Sequence, residues 1–192
     1  MNIGLLGGSF DPVHNGHLAA ARDAAAAARL DRVVFVPAAQ APLKPGAPIA
    51  PGSDRLAMLR LATEDDPLLA VSDFEIGRGG TSYTVETARY FAARHPGDRL
   101  FFIIGADQAG RLGGWKDVDE LVRLVEFICL GRPGYPEPVA PAIPGLRLQH
   151  WAGLRLDLSS TAVRSLVRAG KTLAGVVPHK TVEYIRENRL YL

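Results

Sequence analysis

Two closely spaced histidines in a glycine-rich stretch are the first candidates for chemistry. His14 and His17 follow Gly7 and Gly8, where a short apolar run passes into a segment of helical character. A spacing of three residues places both imidazoles on one side of the first turn of a helix. The free N–H groups and the positive dipole end of such a turn bind phosphate oxygens. The stretch therefore favours an anion site at which negative charge develops, as in phosphoryl or nucleotidyl transfer.

Two other interpretations of the histidine pair stay open. The imidazoles could be helix caps or ordinary polar side chains, or they could bind a metal ion. A metal site needs a third ligand, and no nearby cluster of Asp, Glu or His supplies one, so we expect no metal ligands from the protein. The glycine spacing matches neither the Walker loop nor GxGxxG.

A second stretch, rich in hydroxyl side chains, precedes another helical segment. Ser159 is a good N-cap, and Ser160 and Thr161 follow it directly. Arg164 lies four residues after Ser160, so both side chains are expected on the same helix face and near the same anion. Taken alone, this stretch also fits a capped surface helix.

Strands and helices alternate in the predicted order of elements. Short apolar runs bounded by Gly, Pro or Asp predict buried strands at Ile3–Leu6, Val33–Val36, Leu69–Val71, Leu100–Ile104 and Phe127–Leu130. Helices are predicted at Leu18–Leu30, Ser53–Glu64, Val85–Arg94, Val118–Val125, from near Ser159, and at Pro178–Asn188. Two further short segments are Leu146–His150 and Leu154–Leu158. The alternation predicts one α/β domain over residues 1–192, with a doubly wound parallel sheet covered on both faces.

Two loops rich in Pro and Gly follow predicted strands. They are Pro37–Gly52 and Gly131–Gly145. Open α/β folds bind their ligands at the carboxyl ends of the strands, so we expect both loops to form walls of a site.

The composition limits the class of protein. The chain has 192 residues, a formal net charge of +2 and 47% hydrophobic residues, which is typical of a globular protein without a broad basic surface. We therefore expect no nucleic acid as a partner. No run of 18 apolar residues and no signal-peptide pattern occurs, so we expect a cytoplasmic protein without a membrane partner. The lone cysteine, Cys129, is expected to be a small buried hydrophobe.

Both polar stretches resemble motifs of the nucleotidylyltransferase superfamily. Residues 8–17 read GSFDPVHNGH, similar to GxFDPxHxGH, and residues 158–164 read LSSTAVR, similar to ISSTxxR. The resemblance implies a Rossmann-like fold that binds the phosphates of ATP with these motifs, and Mg²⁺ accompanying the triphosphate. The implied ATP-binding residues are Gly8, Ser9, Phe10, His14, His17, Gly105, Asp107, Ser159, Ser160, Thr161 and Arg164.

Motifs between these stretches resemble bacterial nicotinate mononucleotide adenylyltransferases. They read TSYT at 81–84, GAD at 105–107, WK at 115–116 and RPGY at 132–135, and PLK at 42–44 is similar to a PPHK-like segment. The implied acceptor-binding residues are Lys44, Tyr83, Thr84, Trp115, Lys116 and Arg132. An indole can stack on a pyridine ring, and backbone N–H groups near residues 84 and 116 could bind a carboxylate. A core tryptophan, an N-cap role for Asp107 and a solvated Lys44 stay open as alternatives.

The resemblance implies a direct displacement reaction. The phosphate of nicotinate mononucleotide attacks the α-phosphorus of ATP, and deamido-NAD and pyrophosphate result without a covalent enzyme intermediate. The implied catalytic counter-charges are His14, His17, Lys44 and Arg164. Two other acceptors stay open, nicotinamide mononucleotide and phosphopantetheine. A non-catalytic nucleotide sensor is a further alternative. Assembly of the chain into a homo-oligomer also stays open.

Overall fold

A computed structural model of the chain describes residues 1–42, 46, 48–131, 141–151 and 158–192. The strands are β1 Asn2–Gly8, β2 Arg32–Pro37, β3 Leu69–Val71, β4 Arg99–Gly105, β5 Glu126–Leu130 and β6 Leu148–Trp151. The helices are α1 Asn15–Ala28, α2 Gly52–Thr63, α3 Phe74–Arg78, α4 Thr84–Arg94, α5 Ala106–Ala109, α6 Val118–Leu124, α7 Ser160–Arg168 and α8 His179–Glu187, with a 3₁₀ turn at Leu112–Gly114.

The strands of the described residues form one six-stranded sheet in the order β3-β2-β1-β4-β5-β6. Every neighbouring pair is parallel. The chain builds the sheet outward from β1 in one direction and then from β4 in the other, so the strand order reverses between these two strands. This topology confirms the predicted doubly wound α/β fold. It also places the carboxyl ends of β1 and β4, at Gly8 and Gly105, side by side.

Each face of the sheet has its own hydrophobic core. Strand β4 contributes to both, because successive side chains of a strand point to opposite faces. Phe101 and Ile103 pack in the core that α1, α2, α7 and α8 cover. Phe102 and Ile104 pack in the core that α4 and α6 cover. Burial on both faces explains why the strands are continuous apolar runs rather than alternating patterns.

The predicted elements are present with shifted ends. Helix α1 starts at Asn15, before the predicted Leu18, and ends at Ala28 because Arg29 adopts a left-handed φ of 49°. The short segment Leu146–His150 contains part of a sixth strand, which runs over Leu148–Trp151. Sequence periodicity missed α3 and α5, which have five and four residues and are too short to show a helical repeat. Residues 154–157 of the predicted Leu154–Leu158 segment lie outside the described residues.

Two predictions from composition can be compared with the structure. Cys129 lies in β5 with 1% of its surface exposed, which confirms the buried position. None of the helices in the described ranges is both long and apolar enough to span a bilayer.

Candidate active site

A cavity of about 760 Å³ opens at the sheet edge where β1 and β4 end. Its walls come from the glycine-rich stretch, the residues after β4 and the start of α7. They include every residue predicted to bind ATP: Gly8, Ser9, Phe10, His14, His17, Gly105, Asp107, Ser159, Ser160, Thr161 and Arg164. The fold therefore brings together two motifs that lie about 145 residues apart in the chain, although the contacts of these residues with a nucleotide stay predictions.

The two histidines stack at the entrance to α1. Their ring centroids are 3.7 Å apart with an interplanar angle of 24°, so both imidazoles lie on one side of the first turn, as predicted. The backbone N–H of His14 donates to Nδ1 of His17 over 3.2 Å. An imidazole that accepts at Nδ1 carries its proton on Nε2 when neutral, so His17 presents Nε2–H as a donor.

The residues around the histidines fix their orientation. A Cβ at Gly16 would lie only 3.0 Å from Nδ1 of His14, so a side chain between the two histidines would displace the imidazole. Phe10 packs edge-on against His17 with 5.0 Å between the ring centroids. The Phe10 ring is 2% exposed, so it lines the cavity mainly as a support for the imidazole.

The start of α7 is attached directly to the glycine-rich stretch. Ser159 accepts a hydrogen bond from the backbone N–H of Ala162, which confirms the predicted cap. The hydroxyl of Ser160 donates to the carbonyl of Pro12 over 2.9 Å. Arg164 donates from Nη1 to the carbonyl of Asp11 over 2.7 Å and from Nη2 to the hydroxyl of Thr161 over 3.1 Å. These contacts set the distance between the two helix ends that face the cavity.

Asp107 lies in the first turn of α5, at the carboxyl end of β4. The N-cap of this helix is Gly105, so the alternative of Asp107 as the cap is wrong. The carboxylate lies at the solvent-exposed wall of the cavity. This is the position from which ligand hydroxyls can be bound in a doubly wound fold.

A second cavity of about 510 Å³ adjoins the first. The two cavities share a wall formed by Gly7, Gly8, Ser9, Ala41 and Gln108. The second cavity is lined by four residues predicted to bind the acceptor: Tyr83, Thr84, Trp115 and Lys116. A ligand spanning the shared wall would contact both groups of predicted residues.

Trp115 belongs to the second cavity and to the hydrophobic core at the same time. Its ring lies 6.2 Å from that of Phe102 and 6.4 Å from that of Phe127, between centroids. Among the described residues no hydrogen-bond partner faces its buried Nε1. Trp115 therefore packs against the core and also lines the second cavity, so its position agrees with both a core tryptophan and a cavity residue.

A group of charged side chains surrounds Lys116 at the second cavity. Its Nζ lies 2.9 Å from Glu86 and 4.3 Å from the centroid of the Tyr83 ring. Arg78 pairs with the same glutamate over 2.6 Å. The hydrogen bond from Lys116, together with the charge of Arg78, lowers the pKa of Glu86. The ionised glutamate leaves one excess positive charge in this group of three, which sequence reasoning missed because Arg78 and Glu86 belong to no motif.

Sequence reasoning also missed a buried carboxyl group, Glu75, in the wall of the second cavity. The side chain is 5% exposed and accepts a hydrogen bond from the hydroxyl of Thr87. Burial raises the pKa of Glu75, and its hydrogen bonds with Thr87 and Ser82 oppose this shift. Ser82 in turn accepts a hydrogen bond from the backbone N–H of Ala39 over 3.0 Å. Glu75 on α3 is therefore hydrogen-bonded to Thr87 on α4 and to Ser82 between the two helices.

A buried arginine holds the loops around the shared wall. Arg55, on α2, is 2% exposed and donates to three backbone carbonyls. These belong to Ser9 at 2.8 Å, Ala38 at 2.7 Å and Ala50 at 3.2 Å. The single guanidinium therefore connects the ends of β1 and β2 with the start of α2.

Two residues predicted to bind the acceptor, Lys44 and Arg132, lie outside the described residues, and their roles stay predictions. Asp157, which directly precedes the LSSTAVR motif and has no assigned role, also lies outside them. The residues expected to pack or lie on the surface are His95, His150, Trp151 and His179, and none of these lines either cavity in the described part of the chain.

The fold and the cavity at its strand-order reversal place the chain in the class of Rossmann-like nucleotide-binding proteins. The family model for cytidylyltransferase-like proteins matches residues 5–166. A probable nicotinate-nucleotide adenylyltransferase of Opitutus terrae is 54% identical over 191 residues, covering 100% of this chain and 98% of the relative. One of Citrifermentans bemidjiense is 39% identical, covering 100% of this chain and 99% of the relative. The chain therefore belongs to the cytidylyltransferase-like family and, within it, to the nicotinate-nucleotide adenylyltransferases, which are nucleotidyltransferases of NAD biosynthesis.

Solved structures share this fold at low sequence identity. A Plasmodium falciparum nicotinic acid mononucleotide adenylyltransferase complexed with APC matches with a TM-score of 0.77, covering 99% of this chain and 96% of that chain at 18% identity. The structure of that protein complexed with NaAD matches with a TM-score of 0.75, also at 18% identity. These matches confirm the Rossmann-like nucleotidylyltransferase fold.

Proposed function

We propose that this chain transfers the adenylyl group of ATP to nicotinate mononucleotide, giving deamido-NAD and pyrophosphate. The observation that carries the proposal is the pair of adjoining cavities. One contains two helix ends and two imidazoles suited to a triphosphate, and the other contains the indole of Trp115 and the ammonium of Lys116, which are suited to a pyridine ring with a carboxylate. The glycines in the shared wall allow the two substrates to approach each other closely.

The reaction is an in-line displacement at phosphorus. A phosphate oxygen of nicotinate mononucleotide forms a bond to the α-phosphorus of ATP, and the bond from that phosphorus to the bridging oxygen of pyrophosphate breaks. The electron pair of the broken bond leaves with pyrophosphate. Because the attacking phosphate is already an anion near neutral pH, no general base is required. Catalysis is therefore orientation combined with charge stabilisation.

The first cavity supplies the charge stabilisation. Nε2–H of His17, the guanidinium of Arg164 and the N–H groups at the start of α7 are donors for the oxygens of the leaving pyrophosphate. His14 holds His17 through the stacked ring and the hydrogen bond from its backbone. The attachment of Arg164 to Asp11 keeps the donors at a fixed spacing before ATP binds.

The second cavity orients the acceptor. The indole of Trp115 offers a surface for the pyridine ring, and backbone N–H groups near Thr84 and Lys116 bind the carboxylate. The ammonium of Lys116 in the wall of this cavity favours the carboxylate of nicotinate over the neutral carboxamide of nicotinamide.

Mg²⁺ accompanies the triphosphate in this proposal. Within the described ranges of the chain, no three His, Cys, Asp or Glu side chains form a group that could hold a metal ion. Mg²⁺ in nucleotide sites commonly keeps several waters and binds substrate phosphates, with few protein ligands. The ion would therefore enter with ATP and neutralise phosphate charge, while the steps described above depend on residues of the chain.

An acceptor panel with ATP and Mg²⁺ tests the proposed function. Pyrophosphate release is measured with nicotinate mononucleotide, nicotinamide mononucleotide and phosphopantetheine in turn, and nicotinate mononucleotide is expected to have the highest kcat/KM. Equal values for the nicotinate and nicotinamide nucleotides would contradict carboxylate recognition. ATP binding without turnover for any acceptor would instead support a nucleotide sensor.

A His17→Ala variant tests the mechanism in the same assay. Loss of one donor to the developing charge is expected to lower kcat by about 10²-fold or more. His179→Ala is the matched control, because this histidine is exposed and lines neither cavity in the described residues. A fully active His17→Ala enzyme would refute the assigned role.

A further inference from the structure

The chain turns back towards the first cavity after helix α8. Arg189 and Tyr191 both have positive φ angles, 52° and 67°. A left-handed backbone is uncommon for a bulky residue and persists only where the surroundings hold it. Tyr191 is 5% exposed and packs in the core that α1 and α2 cover, whereas Leu192 is 81% exposed. The turn therefore places the side chain of Tyr191 in this core.

The inserted side chain ends at Asp11, within the glycine-rich stretch. The hydroxyl of Tyr191 donates to Oδ1 of Asp11 over 2.8 Å, across 180 residues of sequence. Burial raises the pKa of Tyr191, and the hydrogen bond to Asp11 acts in the same direction. The hydroxyl therefore keeps its proton near neutral pH.

Asp11 connects this contact to two walls of the first cavity. Its carboxylate also accepts the backbone N–H groups of Ile49 at 2.7 Å and Ala50 at 3.0 Å. Ile49 lines the cavity. The carbonyl of Asp11 accepts the hydrogen bond from Arg164. One residue thus holds the loop before α2 and the arginine of α7, and Tyr191 occupies one of its acceptor positions.

Tyr191 lines neither cavity in the described part of the chain. The contacts of Asp11 lead to walls of the first cavity. The residues particular to the second cavity lie after β2, in β4, at α3 and α4, and in the turn before α6, and none of them is a hydrogen-bond partner of Asp11 named above. A change at Tyr191 is therefore expected to alter ATP binding more than acceptor binding.

We propose that Tyr191 is a positioning residue for ATP, acting through Asp11 on the loop at 48–50 and on Arg164. This inference rests on the proposed function only for the identity of the nucleotide. It assigns a specific role in ATP binding to a residue outside every motif of the sequence.

Tyr191→Phe tests the proposal because it removes only the hydroxyl. Loss of one hydrogen bond to a carboxylate that orders the site is expected to raise the Kd and the KM for ATP about fivefold, the equivalent of one ordinary hydrogen bond. The KM for nicotinate mononucleotide is expected to stay within about twofold of the wild-type value, since the second cavity keeps its contacts. ATP binding is measured by calorimetry and KM by pyrophosphate release.

Tyr184→Phe is the matched control. Its hydroxyl donates to Oδ1 of Asp54 over 2.8 Å, so the variant loses a tyrosine–aspartate hydrogen bond of the same length from the same end of the fold. Asp54 lines neither cavity in the described residues, so ATP affinity is expected to stay unchanged. Thermal unfolding of both variants shows whether they lose comparable stability.

The outcomes separate the proposal from the proposed function. Wild-type protein that binds ATP but turns over no acceptor would refute the proposed function and leave the role of Tyr191 intact. Unchanged ATP affinity in Tyr191→Phe, or equal losses in both variants, would overturn the role of Tyr191. Should Tyr191→Phe fail to fold, hydrogen exchange on the wild-type protein decides: ATP must slow exchange at residues 49–50 and at 191–192 together, and unchanged exchange at 191–192 overturns the proposal.

Discussion

Replacement of Arg55 by methionine tests how the loops around both cavities are held. The variant removes three hydrogen bonds, to the carbonyls of Ser9, Ala38 and Ala50, and leaves these acceptors in a buried region. Each hydrogen bond from a charged donor contributes about 1.5 kcal/mol at the low end, so the loss is about 4–5 kcal/mol. Burial lowers the pKa of Arg55, with the charge of Asp11 opposing the shift, so the buried cation carries a desolvation cost that methionine relieves.

The expected loss of stability is the difference between the lost hydrogen bonding and the relieved desolvation. We expect the free energy of unfolding to fall by about 3 kcal/mol, since the relieved desolvation offsets part of the lost hydrogen bonding. For a chain of this length the melting temperature should fall by about 6–12 °C. The KM values for ATP and acceptor should rise together, because Ser9 borders both cavities. This pattern contrasts with the ATP-specific effect expected for Tyr191→Phe.

Urea denaturation and calorimetry provide the measurement. The control is Arg22→Met, which removes an exposed arginine paired with Asp66 over 2.9 Å and should change stability by less than about 0.5 kcal/mol. Arg55→Lys should lie between the two, since an ammonium keeps the charge but cannot contact three carbonyls at once. A loss below about 1 kcal/mol for Arg55→Met would refute the reasoning that this side chain holds the loops together.

Two further predictions concern Glu86, which pairs with a lysine in the wall of the second cavity, and Glu75, which lines that cavity. Glu86→Gln leaves Arg78 and Lys116 without their shared counter-charge, so the KM for nicotinate mononucleotide should fall by about twofold to fivefold, the scale of an exposed ion pair, with no change for nicotinamide mononucleotide. An equal change for both acceptors would contradict a charge effect. Glu75→Gln removes a group whose folded pKa lies above its ordinary value of 4.5. The folded wild-type protein binds the extra proton between these two pKa values, so its stability relative to the variant should fall as pH rises through that window. A pH-independent difference in urea midpoint would show that Glu75 does not titrate there.

Five strands of the sheet could be predicted from sequence because they are short apolar runs bounded by turn residues, such as Leu100–Ile104. The alternation of these runs with helices predicts parallel pairing. The sixth strand, β6, is mostly exposed and has no such run. The start of α1 could not be placed, because histidine is not a usual N-cap and the pattern of apolar residues begins only at Leu18. The five residues of α3 are too few to establish a period.

The same distinction applies to the site. Residues of the motifs were found because each motif is contiguous and forms one helix entrance or one strand end. Arg55 and Tyr191 were missed because their contacts with the glycine-rich stretch join residues 46 and 180 positions apart, and neither residue belongs to a motif. In the sequence, an arginine in a helical segment resembles a surface residue. Contacts that position a site are therefore harder to predict than contacts that form it.

The shared wall explains why these distant contacts matter for two substrates at once. A Cβ at Gly8 would lie 2.9 Å from the ring of Phe10, and one at Gly7 would lie 3.1 Å from the ring of Phe102. Phe10 supports His17 on the ATP side, while Phe102 supports Trp115 on the acceptor side. At these two glycines only backbone lies between Phe10 and Phe102, the side chains that support the two cavities. The position of this part of the wall therefore depends on backbone hydrogen bonds, and Arg55 supplies one of them through the carbonyl of the neighbouring Ser9.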